Sequence, residues 1–138
     1  MKKNGQCLCG KITFTINDTD MRVDACHCEM CRKWTAGPFL SISAGKGATV
    51  SFENEDEITR YSSSQWAERG FCKNCGSTLF YHGLYDDSYY IAVDLLDDNS
   101  EAILVEEIFY DKKPNYYHFL EATTKKTASE VLAGNEEK

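Results

Sequence analysis

Seven cysteines fall in three tight clusters, Cys7-x-Cys9, Cys26-x-Cys28-x-x-Cys31 and Cys72-x-x-Cys75. Spacings this short let neighbouring thiolates converge on one metal ion, so they constrain the fold wherever the chain goes between them. Four sulfurs close a tetrahedral zinc site, whereas three leave a position that a water or a substrate can take. In a reducing compartment such units read as metal or redox sites before they read as disulfides, and an odd total argues against a fully bridged framework.

The first and third clusters each supply two cysteines at a turn beside strand-like sequence, which is how zinc ribbons join distant segments. Cys7, Cys9, Cys72 and Cys75 are therefore expected to hold one zinc. Gly10 and Gly76 follow the two knuckles and tolerate the positive φ that brings backbone amides round toward sulfur. A thioredoxin-like reading is weaker, because that motif should open a long helix in an α/β pattern and none is visible.

Cys26, Cys28 and Cys31 form the second metal site, with no cysteine left to complete it. His27 is adjacent, but in an extended segment it points away from a metal gripped by both neighbours. His82 and His118 are alternatives, and water or substrate is the preferred fourth ligand. Three thiolates on Zn²⁺ leave a net charge near −1, which makes the ion a poorer activator of water than one held by imidazoles. It suits binding a further sulfur, keeping a thiol deprotonated near neutral pH. The same residues admit two rivals, a non-catalytic zinc-stabilised interaction module and a thiol redox sensor.

The remaining sequence predicts a mainly β protein with little helix. Ile12, Phe14 and Ile16 alternate with polar residues, and further strands are expected over 38–44, 49–52, 58–61, 78–82, 89–95 and 103–110. Short helical turns are expected over 32–36 and 116–122. A single zinc-binding domain over 1–122 and a weakly ordered polar tail over 123–138 complete the expectation. A net charge of −7 disfavours nucleic acid, and no run approaches the apolar length of a membrane span. No apolar signal region precedes the first cysteines, so a cytoplasmic location is expected. Arg32, Lys33, Arg69 and Lys73 flank the clusters, and Arg32 and Lys33 are candidates for holding a substrate's carboxylates.

Gly5-x-Cys7-x-Cys9-Gly10-x-Ile12-x-Phe14, then Cys26-His27-Cys28-x-x-Cys31-Arg32-Lys33 with Gly37 and Phe39, then Phe71-Cys72-x-x-Cys75-Gly76-Ser77-x-Leu79 together resemble the glutathione-dependent formaldehyde-activating family. The resemblance implies a β-tent of antiparallel sheets and two zincs per chain. It implies a structural zinc on Cys7, Cys9, Cys72 and Cys75 and a catalytic one on Cys26, Cys28 and Cys31. It further implies a carbon–sulfur lyase type of activity on a small thiol, such as joining glutathione and formaldehyde to give S-hydroxymethylglutathione. Toward the C-terminus, many relatives resemble a His-Ile pair where this chain has Glu107-Ile108, with Tyr116 near the position of a Trp.

Overall fold

The computed structural model describes residues 1–136; Glu137 and Lys138 of the expected tail lie outside the described residues. In chain order the elements are β1 (Lys3–Gln6), β2 (Thr13–Ile16), β3 (Arg22–Cys26), α1 (Glu29–Thr35), β4 (Phe39–Lys46), β5 (Val50–Glu53), β6 (Ile58–Ser62), β7 (Ala67–Cys72), β8 (Thr78–Gly83), β9 (Ser88–Ala92), β10 (Ile103–Ile108), β11 (Thr124–Lys126) and α2 (Ala128–Glu136). The protein is mainly β, as the alternating sequence predicts. Contacts divide the chain into two compact units, one of Met1–Met21 with Ser41–Ala102, the other of Arg22–Leu40 with the chain from Ile103 onward.

The first unit is antiparallel. β1 pairs β2 and β2 pairs β5, while β4, β9, β8, β7 and β6 follow one another across a second set of ladders. The period-2 pattern does its expected work in β2, where Phe14 and Ile16 are buried along with the preceding Ile12. Phe80 on β8 is fully buried, its ring 5.2 Å from Phe52 and 5.0 Å from Tyr89. Burying each such side chain contributes about 2 kcal/mol, and these aromatics form the unit's centre. The strand expected over 89–95 stops at Ala92, because Leu96 N–H donates to Val93 O and closes a one-turn 3-10 helix over Val93–Leu95.

The second unit is built on parallel pairing: β3 pairs β10, with Ala25 opposite Glu107 and Cys26 opposite Ile108, and β11 pairs the other edge of β10. The strand expected over 103–110 ends at Ile108, since Phe109 takes a left-handed φ of 53° that no strand accommodates. The helical turn expected over 116–122 does not form. Lys113 Nζ donates to Tyr117 O at 2.7 Å, a carbonyl that such a turn would use for its own ladder.

The segment expected to be a weakly ordered tail instead contributes β11 and α2. Thr127 and Glu130 form a reciprocal capping box, with Glu130 N–H donating to Thr127 Oγ1 at 3.2 Å and Thr127 N–H to Glu130 Oε1 at 3.1 Å. Asp111 Oδ1 accepts from Ala128 N–H at 2.7 Å and adds negative charge at the helix start. Thr127→Ala should therefore cost about 1 kcal/mol locally and be read as faster hydrogen exchange in α2 with β10 unchanged.

Candidate functional site

The four-sulfur group lies wholly in the first unit, on the β1–β2 turn and on the turn between β7 and β8. Cys7, Cys9, Cys72 and Cys75 have sulfurs all within 4.8 Å of one another, with Cys7 Sγ 3.6 Å from Cys9 Sγ and Cys9 Sγ 3.8 Å from Cys72 Sγ. A zinc–sulfur bond of about 2.3 Å gives tetrahedral edges of about 3.8 Å, while a disulfide requires about 2.05 Å, so the geometry fits an ion and no disulfide joins these residues.

The two knuckles share one plan. Cys7 N–H donates to Ile12 O and Cys72 N–H to Ser77 O, closing each turn at its base. Gly10 (φ 77°) and Gly76 (φ 78°) then return their amides to Cys7 O and Cys72 O. A side chain would be strained at either position. Ile12 N–H points at Cys7 Sγ and Cys75 N–H at Cys72 Sγ, both at 3.4 Å. Leu8 N–H donates to Ser77 Oγ and ties one knuckle to the other. Ser77 holds the Cys75 thiol down to about 6, whereas burial pushes Cys72 up to about 11.

The three-sulfur group lies in the second unit. Cys26 ends β3, Cys28 caps α1 by accepting from Cys31 N–H at 3.3 Å, and Cys31 is buried on the first turn of that helix. Their sulfurs also lie within 4.8 Å of one another, and among the described residues the group contains these three donors and no histidine. Hydrogen bonds to Cys28 and Cys31, with burial, push the Cys26 thiol up. A divalent cation supplies the positive charge that three adjacent thiolates require, so this donor set fits zinc as well.

Neither alternative histidine approaches a metal role. His82 Nδ1 and Nε2 are taken by Glu68 Oε1 at 2.9 Å and Asp87 Oδ1 at 2.7 Å, and its ring stacks on Tyr89. His118 is exposed. His27 turns away from the cysteines, as extended geometry predicts, and is fully buried. Its Nε2 meets Glu107 Oε1 at 2.8 Å and its Nδ1 meets Tyr117 Oη at 2.7 Å. The sequence marks Glu107 only as a departure from a His-Ile pair, and the contacts that join Glu107 and Tyr117 to His27 escape a sequence reading because they span 80 and 90 positions.

Arg32 and Lys33, on the last turn of α1, line an open hollow of about 350 Å³ with Glu29, Ala36, Gly37 and Tyr116. Arg32 is anchored by donating from Nε to His27 O at 2.9 Å and from Nη2 to Lys112 O at 3.3 Å. Lys33 pairs with Glu29 at 3.1 Å in the open, a contact that costs little to exchange. Tyr116 lines this hollow, and Trp34 packs on Phe39 at 5.3 Å. Trp66 belongs to the first unit, 52% exposed.

The described family model for the glutathione-dependent formaldehyde-activating enzyme matches residues 2–112, an interval that contains all seven cysteines. The chain belongs to the glutathione-dependent formaldehyde-activating enzyme family. Among curated proteins, one from Schizosaccharomyces pombe, named an uncharacterized lyase, is 36% identical over 129 residues, covering 93% of each chain. A crystal structure of a Rhodobacter sphaeroides protein matches with a TM-score of 0.58 at 19% identity, covering 68% of this chain and 87% of that one, and so supports the fold. Within this family framework the two cysteine groups differ in donor number and in surroundings. The trio leads into a helix whose Arg32 and Lys33 line a hollow.

A further carboxyl near the trio carries a pH signature. Burial, and then the negative charge of Glu106, raise Asp24 to about 6, and Glu106 is itself paired with Lys126 at 2.7 Å. A carboxyl raised above its unfolded value favours the folded state while protonated, so its contribution is lost as pH rises from about 4 through about 6. Asp24→Asn should gain about 1 kcal/mol at pH 7, discounted for partial exposure, and nothing at about pH 4. Urea denaturation at the two pH values measures this.

Proposed function

We propose that this protein is a cytoplasmic, zinc-dependent enzyme of carbon–sulfur lyase type, which joins a small thiol to a carbonyl compound or splits the adduct. The leading case is glutathione plus formaldehyde giving S-hydroxymethylglutathione. The thiol sulfur forms a bond to the carbonyl carbon and the thiol proton ends on the carbonyl oxygen, so no other reactant is consumed. The observation that carries the reading is the three-donor sulfur group running from the end of β3 into α1, where Arg32 and Lys33, directly after Cys31, line a hollow.

Cys26, Cys28 and Cys31 would hold the catalytic zinc, and Cys7, Cys9, Cys72 and Cys75 the structural one. Zinc in a three-thiolate site supplies a soft position that binds a further sulfur as thiolate near neutral pH. The chain's own groups then orient the rest of the substrate. Arg32 has five N–H donors and uses two on His27 O and Lys112 O, which leaves donors for a carboxylate in the hollow. Its orientation is set before substrate arrives, so little ordering entropy is lost on binding. Lys33 adds a second positive charge that can leave Glu29 cheaply.

The test is zinc per chain together with NMR exchange between free and glutathione-bound formaldehyde. Two zincs and an exchange rate above that of buffer support the reading, and full loading with no rate gain overturns it. Arg32→Ala should raise KM about tenfold with a smaller change in kcat, since a charge-assisted hydrogen bond of about 1.5 kcal/mol would be lost in ground and transition states alike.

A further inference from the structure

The hollow beside α1 is not uniformly positive. Glu29, Arg32 and Lys33 stand three and four positions apart on the helix, so their side chains share one face, and all three line the hollow with Ala36, Gly37 and Tyr116. Their signs are ordinary for a helix, with the acid on the first turn and the bases on the last. The helix dipole does not account for the room beside them. α1 ends on Ala36, which turns left-handed at a φ of 60°, and among the described residues no atom beyond its chain neighbours lies within 4 Å of where a side chain on Gly37 would begin. These two small residues leave about 350 Å³ open against two positive charges and one negative.

The three charges differ in freedom. Arg32 is fixed by its bonds to His27 O and Lys112 O. Glu29 and Lys33 have side chains 72% and 77% exposed, and Glu29 Oε1 faces Lys33 Nζ at 3.1 Å. An exposed pair of this kind is weak and exchanges readily. A ligand that is only anionic would draw Lys33 away and leave Glu29 without its cation and beside a like charge. A ligand with a carboxylate and an ammonium exchanges one ion pair for two. Its carboxylate accepts from Arg32 and Lys33, and its ammonium donates to the Glu29 carboxylate that Lys33 gives up.

We propose that Glu29 recognises an ammonium, so that the hollow selects thiols bearing a zwitterionic amino-acid end over thiols that are only anionic. This rests on the function proposed above and deepens it by naming a substrate class and a specificity-determining residue. Glutathione has the required chemistry, because its γ-glutamyl end carries a carboxylate and an ammonium on one carbon. Its two carboxylates and one ammonium mirror the two cations and one anion of the hollow. Glutaryl-cysteinylglycine keeps the thiol and both carboxylates and lacks only the ammonium, so comparing the two thiols isolates the contact with Glu29.

The test follows formaldehyde exchange by NMR with each thiol in turn. The wild-type chain should favour glutathione about tenfold in kcat/KM, from one exposed ion pair gained and one like-charge contact avoided. Glu29→Gln keeps the size of the side chain and removes its charge. It should raise KM for glutathione about fivefold and lower KM for glutaryl-cysteinylglycine about twofold, which brings the preference within about twofold. A merely structural role for Glu29 would move both thiols in the same direction and leave their ratio unchanged. A wild-type chain without the preference, or a Glu29→Gln chain that keeps it, overturns the ammonium contact. Exchange accelerated equally for both thiols sinks this inference alone, whereas a wild-type chain inert toward both sinks the proposed function and this role with it.

Discussion

Cys72→Ser is expected to leave the first unit without a stable fold, while Cys28→Ser leaves the fold standing and removes one zinc of two. Cys72 is fully buried, closes β7, lies 3.8 Å from Cys9 Sγ and receives Cys75 N–H at 3.4 Å. A structural zinc in a small domain supplies about 10 kcal/mol or more of apparent binding energy. The whole stability of a domain this size is about 5–15 kcal/mol, so losing much of that term exceeds what the aromatic core can offset. Serine at 28 has a milder effect, because a hydroxyl caps the N-terminus of α1 as well as the sulfur it replaces. Zinc per chain and thermal unfolding followed by circular dichroism decide between the sites. Two zincs and a wild-type transition in Cys72→Ser would remove the structural assignment.

What the sequence discloses here and what it hides follow from the range of the interaction involved. The knuckles are local: two cysteines within four positions, a glycine after them, and amide-to-sulfur bonds inside the same turn, so their chemistry is written in a few consecutive letters. Pairing the first knuckle with the third needed only the count of sulfurs. Strands such as β2 and β9 show their period because one face is buried and the other is less so. β3 and β10 were harder, for a parallel pair joins residues some 80 positions apart without a turn that announces it. The expected tail looked polar because β11 is exposed throughout and is held by its ladder to β10 rather than by apolar burial. Glu107 is the sharpest instance. An acidic residue in a strand ordinarily reads as solvent-facing, and only the buried imidazole of His27, supplied from β3's end, accounts for its burial.

That buried pair yields the second large expectation. His27→Leu removes the donor to Glu107 Oε1 and leaves a carboxylate, 1% exposed, with Thr123 and a lysine 3.7 Å away as its remaining partners. Removing the donor from a buried, charge-assisted hydrogen bond leaves the carboxylate short of a partner and costs about 3 kcal/mol, whereas replacing both partners by apolar groups of similar shape is often far less harmful. His27→Leu with Glu107→Leu should therefore be more stable than His27→Leu alone, although Thr123 loses its acceptor at a cost of about 1 kcal/mol. The pH dependence carries the same sign. Burial works against ionisation of Glu107, but hydrogen bonds from Thr123 and His27 outweigh it and hold the carboxyl below its ordinary range. A depressed carboxyl stabilises the fold above its unfolded value of about 4.3 and loses that contribution as pH falls through the folded value. Without His27 the depression shrinks, so the deficit of His27→Leu should be largest near neutrality and narrow in acid. Urea denaturation of wild type, single and double variants at pH 7 and near pH 4 measures both effects. A deficit that is equal at the two pH values, or a double variant weaker than the single, would place the cost in lost packing rather than in a stranded charge.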